Sequence, residues 1–132
     1  QASDILHLCQ SLTRQTRHRV GLAELRSMRR GATLINAARA GLLQTPALLQ
    51  VLREGHIRAI LDTFDVEPLP GTDPLRALPN VLLTPHCAGH ENSGRFVQLM
   101  LEEIHRFFHN EPLQYEITRE RAASMTSQLS GA

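Results

Sequence analysis

The chain has 132 residues, with 14 Lys or Arg against 13 Asp or Glu, so its formal net charge of +1 offers no bulk field to draw in nucleic acid or an anionic membrane. Aromatic residues make up 4%, which leaves few platforms for stacking bases, and no apolar run approaches the roughly 20 residues of a membrane span. Hydrophobic residues at 42% and charged residues at 20% suit one globular domain with a real core.

Short apolar runs alternate with helix-like stretches, the pattern of a parallel α/β sheet. Ile5 to Leu8 reads as a first strand and Leu22 to Met28 as a helix closing toward Arg29-Arg30-Gly31. Ala32 to Asn36 is a second strand. Thr45-Pro46 then opens a helix, with Thr45 as the expected cap and Pro46 at the first helical position, and Gly55 closes it. Ile57 to Phe64 reads as a third strand, Pro68-Leu69-Pro70-Gly71 as a loop, and Val81 to Leu83 as a fourth strand. A long helix is expected from about Glu91 to His109, with Phe96, Leu99, Met100 and Phe107 near one side. Asn110-Glu111-Pro112 ends it, and a polar tail follows. The division expected is residues 1–109 as part of a nucleotide-binding domain and 110–132 as a tail. The chain has no initiator Met, and its first strand is under way by Asp4, which points to a piece of a longer protein.

Ligands of open parallel sheets bind beyond the carboxyl ends of the strands. The polar residues just after each run are therefore the informative ones. Arg39 follows the second run, the third leads through Asp62 into Glu67, and His86 follows the fourth, so a cation, a carboxylate and an imidazole share one rim. His86 is suited to exchange protons near neutral pH. Glu67 could accept from its second ring nitrogen, fixing the tautomer and favouring imidazolium. Arg39 offers a planar fork for a carboxylate and can polarise a carbonyl. This set suits hydride transfer at a carbon beside a carboxylate, with the hydride drawn from a cofactor.

Leu34-Ile35-Asn36-Ala37-Ala38-Arg39, Asp62-Thr63-Phe64-Asp65-Val66-Glu67-Pro68 and Asn80-Val81-Leu82-Leu83-Thr84-Pro85-His86 resemble, in order and separation, three signature stretches of the D-isomer-specific 2-hydroxy-acid dehydrogenases. Leu12-Thr13-Arg14-Gln15-Thr16-Arg17 is similar to a family loop after an earlier strand. The resemblance runs from about Ser3 to about Leu113. It implies a Rossmann-like doubly wound parallel sheet, present here in its carboxyl-terminal portion, and an oxidoreductase working on a small 2-oxo or 2-hydroxy acid with NAD or NADP. Arg39 then matches the substrate-binding arginine, Glu67 the carboxylate paired to the histidine, and His86 the acid/base. Asp62 matches the residue holding the nicotinamide carboxamide. Ser11, Thr13, Ala37, Ala38, Arg39, His86, Ala88 and Gly89 match positions around the cofactor. A homodimer of the full-length protein and a tail returning to a separate substrate domain are implied as well.

Three departures stand out. Ala40 replaces a usual glycine after the arginine, Ser11 a proline, and Thr63 a valine. If position 40 required a positive φ, alanine would cost on the order of 1 kcal/mol and tilt Arg39. No Gly-x-Gly-x-x-Gly occurs, so the phosphate-binding turn and the acidic ribose ligand are missing from the chain, which carries the nicotinamide end alone.

Simpler roles compete for each residue. Arg39 could be a surface arginine, Glu67 a solvated turn residue, His86 a loop histidine, and Asp62 a strand-end residue bonding its own turn. His105 and His109 have metal-ligand spacing, but no third ligand is evident, so no metal is expected. Cys9 and Cys87, far apart and in no Cys-x-x-Cys pattern, read as reduced thiols of a cytoplasmic chain, a single disulfide being the alternative. A cofactor-responsive binding module without turnover and an inactive truncated product remain the rival functions.

Overall fold

The computed structural model describes residues 3–89 and 93–124. Four parallel strands form one sheet in sequence order: β1 (Ile5–Leu8), β2 (Thr33–Asn36), β3 (Arg58–Leu61) and β4 (Val81–Leu83). Two helices link the first three strands, α1 (Leu22–Ser27) and α2 (Thr45–Arg53). Consecutive parallel strands that are also neighbours, joined by right-handed crossovers, put both connecting helices on the same face. Accordingly α1 and α2 pack together over one layer. This is the Rossmann-like arrangement in part, because a doubly wound sheet fills its second face only after the strand order reverses.

The core lies between this helical layer and the sheet. Leu25 of α1, Val51 and Leu52 of α2, and Leu34, Ala59 and Leu61 of the strands are buried there with Leu8, Leu42 and Ile57. Each such large aliphatic side chain contributes about 2 kcal/mol by leaving water. The opposite face is open, with Ile5 at 61% and Leu82 at 58% exposure.

Local chemistry explains the element ends. The Glu24 carboxylate accepts the Gly21 N–H at 2.9 Å and so caps α1. The start of α2 differs from the expectation. Gln44, not Thr45, is the capping residue, because Gln44 N bonds Val20 O in a short parallel bridge and already has extended backbone. Thr45 and Pro46 thus occupy the first two helical positions, and the freed Thr45 hydroxyl donates to Asp65. Gly55 ends the element with φ +64, as expected of a glycine there.

The third strand is shorter than the apolar run suggested, ending at Leu61. Asp62 still bonds Asn36 O through its N–H, but its side chain gathers donors from another loop and the chain turns away. The long helix α3 (Ser93–Phe108) falls within the expected span; residues 91 and 92 lie outside those described. It has no buried residue, and Phe96, Met100, Phe107 and Phe108 are exposed. A short helix α4 (Arg119–Ser124) follows within the tail.

Thr63 carries a cost. Its hydroxyl is buried without a hydrogen-bond partner among the described residues, in a residue 4% exposed. An unsatisfied buried hydroxyl gives up water for nothing, so Thr63→Val, nearly the same shape, should stabilise the fold by about 1 kcal/mol. A raised denaturation midpoint at unchanged slope is the expected result; a lowered midpoint would mean that the hydroxyl has a partner.

Candidate active site at the carboxyl rim of the sheet

All the residues singled out from the sequence fall on the loops that leave the carboxyl ends of β1 to β4. Ser11 and Thr13 follow β1. Thr16 organises that turn, its hydroxyl donating to Ser11 O at 2.8 Å and accepting from Thr13 N at 2.7 Å. Ala37, Ala38 and Arg39 follow β2, Asp62 and Glu67 follow β3, and His86, Ala88 and Gly89 follow β4.

His86 and Glu67 are brought together. The ring Nδ1 lies 2.7 Å from Glu67 Oε2, while Glu67 Oε1 accepts the Phe64 N–H at 2.9 Å. The carboxylate is thus held at both oxygens and aimed at the ring. The hydrogen bond from His86, then the Phe64 N–H, hold the Glu67 carboxyl below the usual glutamate range. His86 itself has φ 51, a left-handed conformation costing a non-glycine residue about 1–2 kcal/mol. Such strain persists where its surroundings over-determine it.

Asp62 supplies that constraint. It is 2% exposed, and its carboxylate accepts from the Thr84 hydroxyl, from Cys87 N at 3.0 Å and from Ala88 N at 2.9 Å. The bonds grip the β4 loop on both sides of His86. Burial opposes the Asp62 charge, but the Thr84 hydroxyl and the Ala88 and Cys87 N–H groups outweigh it and hold the carboxyl below its ordinary value. Both oxygens are engaged within the protein, by the β4 loop rather than by the turn that Asp62 itself begins.

Arg39 is placed differently. Its guanidinium folds back to donate to Ala38 O at 2.7 Å, and no hydrogen bond joins it to Glu67 or His86 among the described residues. It lines a cavity of about 210 Å³ with Cys9, Ser11 and Ala38, whereas His86 and Glu67 line one of about 270 Å³ with Phe64, Leu83 and Arg76. Its positive charge still favours the Glu67 carboxylate, as the weakest of the influences there. Ala40 does not strain the loop, because among the described residues positive φ outside glycine occurs only at His18, His86 and Asn110. Ala40 begins a 3-10 turn, and the close approach falls one residue later, where a Cβ on Gly41 would meet Leu12 at 2.9 Å.

Sequence reasoning missed Asn36, which is fully buried at the end of β2 and bonds the Arg39 loop through its amide. A polar residue closing an apolar strand was the available signal. Cys9 and Cys87 are free and exposed. His105 and His109 stack on each other at 4.0 Å, and no group of three potential ligands forms among the described residues.

A family model for the D-isomer specific 2-hydroxyacid dehydrogenase, NAD binding domain, matches residues 1–88. The chain belongs to this family. A glyoxylate reductase of Korarchaeum cryptofilum is 40% identical over 110 residues, covering 81% of the chain and 33% of that protein. A glyoxylate reductase of Aeropyrum pernix is 43% identical over 100 residues, 75% of the chain and 30% of that protein. The chain thus spans about a third of the curated relatives it matches. Among solved structures, a D-isomer specific 2-hydroxyacid dehydrogenase from Xanthobacter autotrophicus in complex with NADPH and MES superposes with TM-score 0.77 at 37% identity, over 90% of the chain and 50% of that one. A probable 2-hydroxyacid dehydrogenase from Rhizobium etli in complex with NADP gives 0.79 at 34% identity, over 92% and 39%. The cofactor assignment of the family, NAD or NADP, goes with this domain.

The sign of the Glu67 shift makes a measurable demand. A carboxyl lowered by folding adds stability that is complete above its ordinary value near 4.5 and fades as pH falls through the lowered folded value. The stability difference between the wild type and Glu67→Gln should therefore stay level down to about pH 4.5 and shrink only below it. Denaturant titrations at a series of pH values read it, and a difference that grows in strong acid contradicts the pairing.

Proposed function

We propose that this chain forms the nicotinamide end of an active site that interconverts a small 2-oxo acid and its 2-hydroxy acid. The observation that carries the reading is the 2.7 Å pairing of His86 with Glu67 on a left-handed loop at the sheet rim. With Nδ1 held by the carboxylate, Nε2 is left to give a proton to a carbonyl oxygen, or to take one from an alcohol. Arg39 holds the substrate carboxylate with its fork once it leaves Ala38 O, and its charge also draws electron density toward the carbonyl oxygen.

The rim fits the nicotinamide end of a dinucleotide. Ala37, Ala38, Ala88 and Gly89 present backbone and small side chains, Gly89 with open space where a Cβ would stand, while Ser11 edges the neighbouring cavity and Thr13 stands in the turn behind it. Asp62 backs this region. A bound NAD or NADP supplies the hydride. The adenosine end lacks its glycine-rich turn in this sequence. Relatives named glyoxylate reductase and glyoxylate/hydroxypyruvate reductase B indicate the substrate class, a 2-oxo acid of two or three carbons. In the full-length protein the tail from residue 110 returns to a substrate domain, and the enzyme works as a cytoplasmic homodimer.

In the full-length gene product, His86→Ala should lower kcat by about 10²- to 10⁴-fold while the dissociation constant of NADPH or NADH stays nearly unchanged. Stopped-flow and steady-state nicotinamide absorbance with glyoxylate and hydroxypyruvate measure both. Turnover equal to wild type in that variant ends the assignment. Cofactor binding without turnover in the wild type favours a binding module instead.

A further inference from the structure

Asn36 closes β2 in a row of its own. Its strand neighbours at the same level are Leu8 and Leu61, both buried, so its side chain projects among apolar groups where water does not reach. An amide in such a place must find its partners within the protein. It finds them in the loop it begins. Nδ2 donates to Arg39 O at 2.9 Å, and Oδ1 accepts from Ala38 N at 3.2 Å. Three residues of loop are thereby closed into a ring whose far end is the backbone of Arg39, and the chain leaves Arg39 into a 3-10 turn.

We propose that Asn36 is the positioning residue of Arg39, fixing the backbone from which the guanidinium reaches its substrate; the role in catalysis rests on the function proposed above. Other side chains fail on chemistry. Leucine would take away the partner of the Ala38 N–H and leave the Arg39 carbonyl only the Leu42 N–H at 3.3 Å. Aspartate could accept from Ala38 N but has nothing to donate to Arg39 O, and would bring a charge among Leu8 and Leu61. Serine is too short to reach both. The ring is also tied sideways, since Asn36 O accepts the Asp62 N–H at 3.0 Å and Asp62 holds the loop carrying His86. Arg39 and His86 are thus set relative to each other through two buried residues joined by a backbone bond, although they do not touch.

Two measurements decide the matter independently. The first concerns the clamp alone and needs no turnover. Arg39 is exposed and followed by Ala40, so trypsin can cut there when the loop opens. In the chain itself, Asn36→Ala and Asn36→Asp should each speed cleavage after Arg39 about tenfold relative to cleavage after Arg58 within β3, because protection tracks the open population. An unchanged ratio overturns the clamp, and a uniform rise at both bonds shows general unfolding and overturns it equally. The second measurement is a double-mutant cycle in the full-length protein with glyoxylate as substrate. Asn36→Ala should raise KM about tenfold with a smaller effect on kcat, and should add less than about twofold in an Arg39→Ala background, since a residue acting through Arg39 has nothing left to act through. Losses that multiply assign Asn36 to the fold at large and overturn its positioning role. A wild-type protein without turnover ends the function proposed above and the catalytic role of Asn36 with it, and the trypsin ratio still decides the clamp.

Discussion

The buried carboxylate of Asp62 is the contact on which the rest of the rim depends. A charge placed at 2% exposure costs several kcal/mol unless donors surround it, and here a hydroxyl and two backbone N–H groups do. Those donors come from the segment that carries His86. Satisfying the charge and shaping the β4 loop are therefore one event. The left-handed turn at His86 follows from it, because Thr84, Cys87 and Ala88 must all bend toward a single carboxylate. Once the loop is bent, the imidazole is presented to Glu67, whose other oxygen is pinned by the Phe64 N–H.

Much of this was legible in the sequence, for a physical reason. Parallel strands are short and apolar, so their ends are visible, and the residues just past them must lie at one rim. Sequence pattern alone puts Arg39, Glu67 and His86 on neighbouring loops, with Asp62 leading into one of them. It could not show what each polar group would bond. Thr45 looks like a cap because threonine before proline often is one, yet a backbone bridge to Val20 had already made Gln44 extended. Ile57 to Phe64 looks like one strand because hydrophobicity does not register the turn forced when Asp62 collects its donors. Asn36 looks like the end of a strand, and only packing shows that its amide has no water.

The position of Ala40 illustrates the same limit from the other side. A glycine expected for its backbone freedom suggested strain, but the residue needing room is Gly41, pressed toward Leu12. Sequence likeness marks where a family keeps a small residue. It does not say whether the reason is a dihedral angle or a neighbour. Close approach is a property of two segments, and only the folded pair reveals it.

On the proposed function, geometry also bears on how Arg39 would serve the same small acid as His86. Their loops leave β2 and β4, two strand spacings apart, about 10 Å at the level of the backbone. Neither a histidine ring nor a short cation could bridge that gap and still leave room for a ligand. An arginine can, since its fork sits at the end of a long, exposed stem and is held by a hydrogen bond to Ala38 O. A long side chain gains reach and loses accuracy, because every rotatable bond adds freedom that binding must remove. The accuracy has to come from its base. A guanidinium that travels far is useful only on a backbone that does not move, and the ring closed by Asn36 is where this fold keeps that backbone still.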